Sequence, residues 1–471
     1  KGNPLVLTDC PWCRAEIGKF KRGRNTYLKG IIKDTEQGPL LVCPDASCEF
    51  GREDLNFSIP VEVIDERIYL NPPTIVISTA DKLALLAYRP GAGSLFGREF
   101  IDGQVRQLSK PPGLIIQDEL HLISGPLGTM YALYEGIIEK LCSSKLGDKT
   151  IKPKIVASTA TIRSAAEQVL ALYARTETKL FPSPGLEMGD SYFGTYARDN
   201  EGKLERGKLY LGIHANNYAS VLTTQVRTFS SALFLPNTFE SDEARDPWWT
   251  LLAFYNSIRE LGGAKTLFDS DIRSRLKFLF NREGFDLKNR RKLVNVDELT
   301  SRLSQPEIKK MMDRLSESYS RKNSAAYDAC LASNIIEVGV DIDRLSLMGV
   351  VGQPKNSSTY IQVTGRVGRR WKDRPGLILM IYNPSKSRDL SHYEHFHSYH
   401  RRLYENVEPT SATPFSVSAL KRGFAGALIA WARQHADANV QNKEAYNSSL
   451  MTGYQILKER CEEIQVKKEL N

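Results

Sequence analysis

The sequence has no run of about 18 apolar residues, so no membrane-spanning helix is expected. The opening Lys1-Gly2-Asn3-Pro4 lacks the apolar core of a secretory signal. It also lacks an initiator Met, which leads to the expectation that the chain is a piece of something longer. Cysteine is scarce. Seven occur in 471 residues, four of them before residue 50, with Cys142, Cys330 and Cys461 scattered beyond. That usage excludes a secreted disulfide framework and predicts a cytoplasmic protein with one local cysteine cluster. There is no low-complexity tract and no repeat of solenoid period. Hydrophobic residues make up 41% of the chain, which excludes disorder as the main state. With 64 basic against 55 acidic residues the net charge is +9, a mild excess that suits a polyanion and equally suits an evenly mixed surface.

What is present is an alternation of short apolar runs with helical spacing. Thr74–Thr79, Leu114–Asp118 and Lys154–Ser158 read as strands, with helices expected from Ala80, around Tyr131 to Ile137, and from Arg163 to Ala174. The rhythm breaks over 182–245, where Pro182, Pro184, Gly185 and Gly189 cluster, although Lys208–Ile213 reads as a strand and Val221–Leu233 as a helix. It resumes with the runs 251–255, 329–332, 347–351 and 377–381, and the chain beyond about 390 reads as helical. Strands alternating with helices predict an α/β fold with parallel sheets. The expected domains are an insert over 1–60, a first sheet domain over 61–181, a linker over 182–245, a second sheet domain over 246–390 and a helical extension over 391–471.

Chemistry gathers at the ends of these strands, where open α/β sheets bind ligands. Asp118-Glu119-Leu120-His121 follows one strand. An Asp there suits Mg²⁺, which prefers hard carboxylate oxygens, and the adjacent Glu suits orientation of a water for attack on a phosphate. The tetrapeptide alone reads equally well as an acidic helix start. Ser158-Thr159-Ala160-Thr161 ends the next strand and offers hydroxyls for a phosphate site or a helix cap. The strongest signal is Gln362-Val363-Thr364-Gly365-Arg366-Val367-Gly368-Arg369, with two Arg three apart and a Gly beside each. Guanidinium groups grip phosphate bidentately, and Gly permits close approach of backbone to ligand. Upstream lie Ser333-Asn334 and Gly339-Val340-Asp341. Near the start, Cys10-Pro11-Trp12-Cys13 and Cys43-Pro44-Asp45-Ala46-Ser47-Cys48 form two close pairs, which reads as a structural four-thiolate Zn²⁺ site, against reduced loop cysteines or a redox pair, the latter disfavoured because no thioredoxin-like βαβ unit surrounds it.

In this order the motifs resemble superfamily 2 helicases over roughly residues 70–385. Asp118–His121 resembles the DExH box, Ser158–Thr161 motif III, 332–341 motif V, and Gln362–Arg369 the arginine-finger motif VI. Pro73–Leu83 is similar to motif Ib. The resemblance implies two RecA-like parallel-sheet domains, the first incomplete at its N-terminus, with a small four-cysteine zinc-ribbon insert and a C-terminal helical extension. It implies ATP between the two domains, with Asp118 on Mg²⁺, Glu119 orienting water, and His121 linking to motif VI. Gly339 and Asp341 would lie near the cofactor, and Ser158, Thr159 and Thr161 would couple it to motion. Gln362, Arg366 and Arg369 would act on the phosphates, and Thr79, Lys82 and Ser333 would touch nucleic acid. The stretches 117–128, 254–263, 393–400 and 408–411 further resemble the DrmA family of helicase subunits from DISARM anti-phage systems. That resemblance implies bacterial or archaeal cytoplasmic defence against phage, DNA (single-stranded or duplex with an overhang) as substrate and a DrmB-like partner subunit; a rival reading makes RNA the substrate, and no membrane is expected.

One element of the pattern is missing. No G-x-x-x-x-G-K-[ST] phosphate loop precedes Thr74. Gly91-Ala92-Gly93-Ser94 lacks the Lys, and Gly262-Gly263-Ala264-Lys265-Thr266 falls in the second domain. Either the loop lies upstream of this chain, which is the expectation, or the chain is an inactive zinc-containing scaffold that binds nucleic acid. The histidines His392, His395, His397 and His400 do not all fall on one helix face, since His392 and His395 share a face with Tyr399 while His397 falls elsewhere, and they read as part of an aromatic-rich helix.

Overall fold

A computed structural model of the chain describes residues 7–22, 25–34, 38–51, 58–102, 104–159, 165–183, 185–186, 190–205, 207–217, 220–286, 290–321, 325–333, 342–370, 372, 374–403, 407–408, 412–435 and 443–469. The chain divides into two compact units. One comprises residues 1–179 with 409–471, the other 180–408.

The second unit is built on a six-stranded, wholly parallel sheet. Its strand order is Leu209–His214, Leu377–Tyr382, Leu347–Val351, Leu251–Tyr255, Ala329–Ala332, Val296–Leu299. Successive strand residues point to opposite faces, and here both faces are covered. Leu252 and Phe254 enter one core with Met311, Leu315, Tyr360 and Tyr399. Leu251, Ala253 and Tyr255 enter the other with Phe229, Phe268 and Phe280. A strand buried on both sides has no polar face to alternate with, so it reads as an unbroken apolar run. The helix Val221–Phe234 lies close on the sheet because residue 349 is Gly: a Cβ there would come within 2.4 Å of the Phe229 ring.

In the first unit, Leu114–Gln117 and Lys154–Ala157 pair in parallel. The helix Gly125–Cys142 is its centre, and Val417–Arg433 and Lys443–Glu469 pack against it. Small residues set the spacing. A Cβ on Gly423 would meet Met130 Cε at 2.4 Å and Leu133 Cδ2 at 3.0 Å, so a side chain there would require these two to shift.

Two local expectations change. The β-branched run Thr74–Thr79 forms no strand among the described residues. Ile75 and Ile77 are 78% and 95% exposed, and a strand needs a neighbour for its backbone groups. The segment Ala80–Ala87 is a 3₁₀ helix rather than the start of an α-helix.

Candidate functional site

Parallel pairing assembles the first group of motif residues. The register Ala157↔Gln117 brings the residues after both strands side by side. Ser158 N–H donates to Gln117 O and Leu120 N–H to Ser158 O, both at 2.9 Å. The Ser158 hydroxyl donates to Asp118 Oδ1. Glu119 adopts a left-handed backbone (φ +50°, ψ 51°), a conformation costing a non-glycine residue about 1–3 kcal/mol. This turns the chain sharply, so that Glu119 and His121 lie together. His121, buried, has Nδ1 3.2 Å from Thr159 Oγ1 and 3.4 Å from Glu119 Oε2. The arrangement is an exposed carboxylate pair at a strand end, backed by an imidazole and two hydroxyls. Hard oxygens there fit a hydrated Mg²⁺.

The second group lies in the other unit. The helix Ser357–Thr364 carries buried Gln362 and leads into the turn holding Arg366 and Arg369. Gly368 has φ +67°, and a Cβ on it would meet Gly376 N at 2.5 Å, so the turn closes directly on the backbone entering the strand Leu377–Tyr382. Ser333 is buried at the end of Ala329–Ala332. Gly339, Asp341 and Thr161 lie outside the described residues. Thr79 precedes the 3₁₀ helix, and Lys82 is exposed and ion-paired with Asp65 at 2.7 Å. The Gly262–Thr266 stretch sits inside the helix Ile258–Asp269, with Lys265 Nζ donating to Val296 O, so it forms no phosphate loop. Of the histidines, His400 is held by Tyr360 Oη at 2.8 Å and by Phe396 O at 2.8 Å, inside an aromatic cluster.

The four N-terminal cysteines converge. Their sulfur atoms all lie within 4.8 Å of one another, with Cys13–Cys43 at 3.3 Å and Cys10–Cys48 at 4.0 Å. Sulfurs bound tetrahedrally at about 2.3 Å from zinc stand about 3.8 Å apart, so this donor set fits Zn²⁺. Local turns build it: Arg14 N–H donates to Cys10 O across a left-handed Arg14, and Asp45 N–H points to Cys43 Sγ at 3.4 Å. Three of the four cysteines are buried.

Residues 251–370 match the helicase conserved C-terminal domain. The DISARM protein DrmA of Bacillus paralicheniformis is 37% identical over 470 residues, 94% of this chain and 40% of that protein. The crystal structure of the helicase MrfA bound to DNA and AMPPNP superposes with a TM-score of 0.50 at 17% identity, covering 77% of this chain and 41% of that one. The helicase Lhr of Mycobacterium smegmatis, bound to ssDNA and AMP-PNP, gives a TM-score of 0.48 at 16% identity over 81% of this chain and 42% of that one. The chain shares the helicase C-terminal domain over 251–370 and an α/β fold similar to that of MrfA. It spans about 40% of the length of the curated relative it matches.

Within this helicase fold, two charged residues outside the matched 251–370 segment hold the ends of the Ser357–Thr364 helix. Glu408 accepts from Ser357 N–H at 2.8 Å and from its hydroxyl at 3.0 Å. Lys208 Nζ donates to Thr364 O at 2.9 Å. An anion at the helix start and a cation at its end both complement the helix dipole. Burial, and secondarily the Arg369 charge, lower the Lys208 ammonium to about 8. In the first unit, buried Gln168 donates to Leu120 O and Ile123 O, both at 3.0 Å, and pins the turn carrying His121. Sequence reading passed over all three. Lys208 adjoins a strand run and Gln168 sits on an apolar helix, with nothing local to mark either. Glu408 did carry a signal, since it opens one of the stretches that resemble the DrmA family.

Proposed function

We propose that this chain is the motor part of an ATP-dependent nucleic-acid helicase or translocase, acting on DNA in cytoplasmic anti-phage defence. The observation that carries the reading is the register-built cluster of Asp118, Glu119, His121, Ser158 and Thr159. It supplies a carboxylate for Mg²⁺, a second carboxylate for the attacking water, and hydroxyls that report on both. Bound Mg²⁺ would supply charge neutralisation at the phosphates. Asp118 holds the metal, and Ser158 fixes the carboxylate rotamer. Glu119 orients the water, with His121 Nδ1 within reach of both the Glu119 carboxylate and the Thr159 hydroxyl. In the second unit, Gln362, Arg366 and Arg369 present polar and cationic groups toward phosphate. Cys10, Cys13, Cys43 and Cys48 hold a structural Zn²⁺. Thr79, Lys82 and Ser333 are assigned to nucleic-acid contact, Gly339 and Asp341 to the nucleotide, and Thr161 to coupling with Ser158 and Thr159. A DrmB-like partner follows from the DrmA likeness.

The test is ATP hydrolysis by the full-length protein with ssDNA, overhang duplex or RNA as activator. Activity stimulated by DNA and lowered at least 100-fold by Glu119→Gln is expected. RNA as the better activator replaces DNA as substrate. DNA binding without any hydrolysis, unchanged by Glu119→Gln, replaces the motor with a zinc-containing scaffold.

A further inference from the structure

Residues 18–33 read GKFKRGRNTYLKGIIK, with six basic residues and no acidic one. The whole chain has 64 basic against 55 acidic residues, so this local imbalance stands well outside its average. The segment opens with an antiparallel ribbon, Gly18–Arg22 with Asn25–Lys29, in the register Lys19↔Leu28, Phe20↔Tyr27, Lys21↔Thr26. Every residue of Asn25–Lys29 is exposed. Tyr27 and Leu28 point to opposite faces, yet they are 48% and 47% exposed. Neither face of that strand is therefore packed on the protein.

A lone two-stranded ribbon is marginal in water. This one is anchored at its base to the cysteine centre. Ile17 is buried in the cluster with Cys10, Cys43 and Cys48. Gly30 has φ +73° and sits so tightly that a Cβ would meet Val42 O at 2.6 Å, one residue before Cys43. Trp12, on the turn between Cys10 and Cys13, is also 68% exposed. Among the described side chains the module thus displays the exposed cations Lys19 and Lys29 and the aromatic rings of Trp12 and Tyr27 on a cross-linkable base.

We infer that this ribbon is a single-stranded nucleic-acid-binding element, its cations contacting phosphates and Tyr27 stacking on a base. Charge complementarity selects a polyanion, and an exposed ring selects a strand whose bases are accessible, because every base offers a π-face while duplex bases are already stacked. The inference rests on the nucleic-acid part of the proposed function and adds a site remote in sequence from the motor motifs.

The test is fluorescence anisotropy with the full-length, zinc-replete protein and no nucleotide, using labelled oligo-dT and a blunt duplex over a salt series. Neutralising the ribbon with Lys19→Gln, Lys21→Gln, Arg22→Gln and Arg24→Gln together is expected to weaken oligo-dT binding at least tenfold. For every phosphate no longer neutralised, the log–log salt slope on a single strand falls by about 0.7. Tyr27→Ala is expected to weaken oligo-dT binding at least fivefold and to leave the blunt duplex within twofold. Zinc content and melting temperature matching wild type show that the module remains folded. Oligo-dT affinity and salt slope within twofold of wild type in both variants overturn the inference. So does loss of binding to phosphatidylserine vesicles with oligo-dT binding intact. These readouts are independent of Glu119→Gln, whose failure would remove the motor and leave the ribbon standing.

Discussion

Arg460 on the helix Lys443–Glu469 is buried against the helix that follows the acidic strand end. It donates to Glu135 Oε2 and to Leu172 O, and its Nη1 lies 3.2 Å from Glu139 Oε1. Glu139 has further cations, Lys152 at 2.9 Å and Arg175 at 2.6 Å. Arg460 is the only cation that an ion pair gives Glu135 among the described residues, and Glu135 Oε1 is buried with no hydrogen bond. Burial pushes the Glu135 carboxyl up to about 7 even while Arg460 pulls it down. Arg460→Leu therefore strands a buried carboxylate, a change that typically costs about 3–5 kcal/mol. For a unit of this size that is a fall of roughly 6–20 °C in melting temperature. The sign of the pH dependence follows. A raised carboxyl pKa contributes stability that is full below the unfolded value near 4.3 and is lost as pH rises through the folded value. Without Arg460 the folded value climbs above 7, so the deficit of the variant grows by about 1.4 kcal/mol per pH unit from pH 7 up to the variant's own folded value and levels off beyond it. Thermal melts at pH 6, 7 and 8 measure this, and Glu135→Gln added to Arg460→Leu is expected to restore part of the loss. A deficit below about 1 kcal/mol, or one that does not vary with pH, refutes the reasoning.

Two further predictions concern the other charged and metal sites. Cys10→Ser or Cys43→Ser is expected to lower zinc from one per chain toward none by elemental analysis, and to open the segment 7–51 to protease, whereas Cys142→Ser leaves zinc unchanged. For Lys208 the folded pKa lies below the ordinary value, so its penalty is full below pH 8 and is relieved as pH rises toward 10.5. Denaturant unfolding should show wild type gaining about 1.4 kcal/mol per pH unit relative to Lys208→Met between pH 8 and 10, and parallel pH curves would exclude a buried ammonium at Thr364.

The four strands of the second sheet that read as apolar runs were legible because each is buried on both sides, so its identity is written in consecutive residues. The cysteine pairs were legible too, because each pair closes within one turn of chain. The helicase-like motifs could be ordered by spacing, but their geometry could not. Asp118 meets Ser158 only through the register of a parallel pair, and the residues that hold Ser357–Thr364 come from 51 and 156 positions away.

Sequence by itself thus determined the elements whose hydrogen bonds and burial are local: the apolar strands and the thiol pairs. Tertiary structure decided the rest. It left Thr74–Thr79 without strand partners among the described residues despite its β-branched run, since a ladder needs a second strand. It put Gly262–Thr266 inside a helix, where its amides bond to the preceding turn instead of to phosphate. It also laid the helices after residue 412 on the first unit, because the small residues Gly423 and Gly426 let them approach Met130 and Tyr134. Side-chain partners distant along the chain are chosen by register and packing, and neither is encoded in any one stretch of residues.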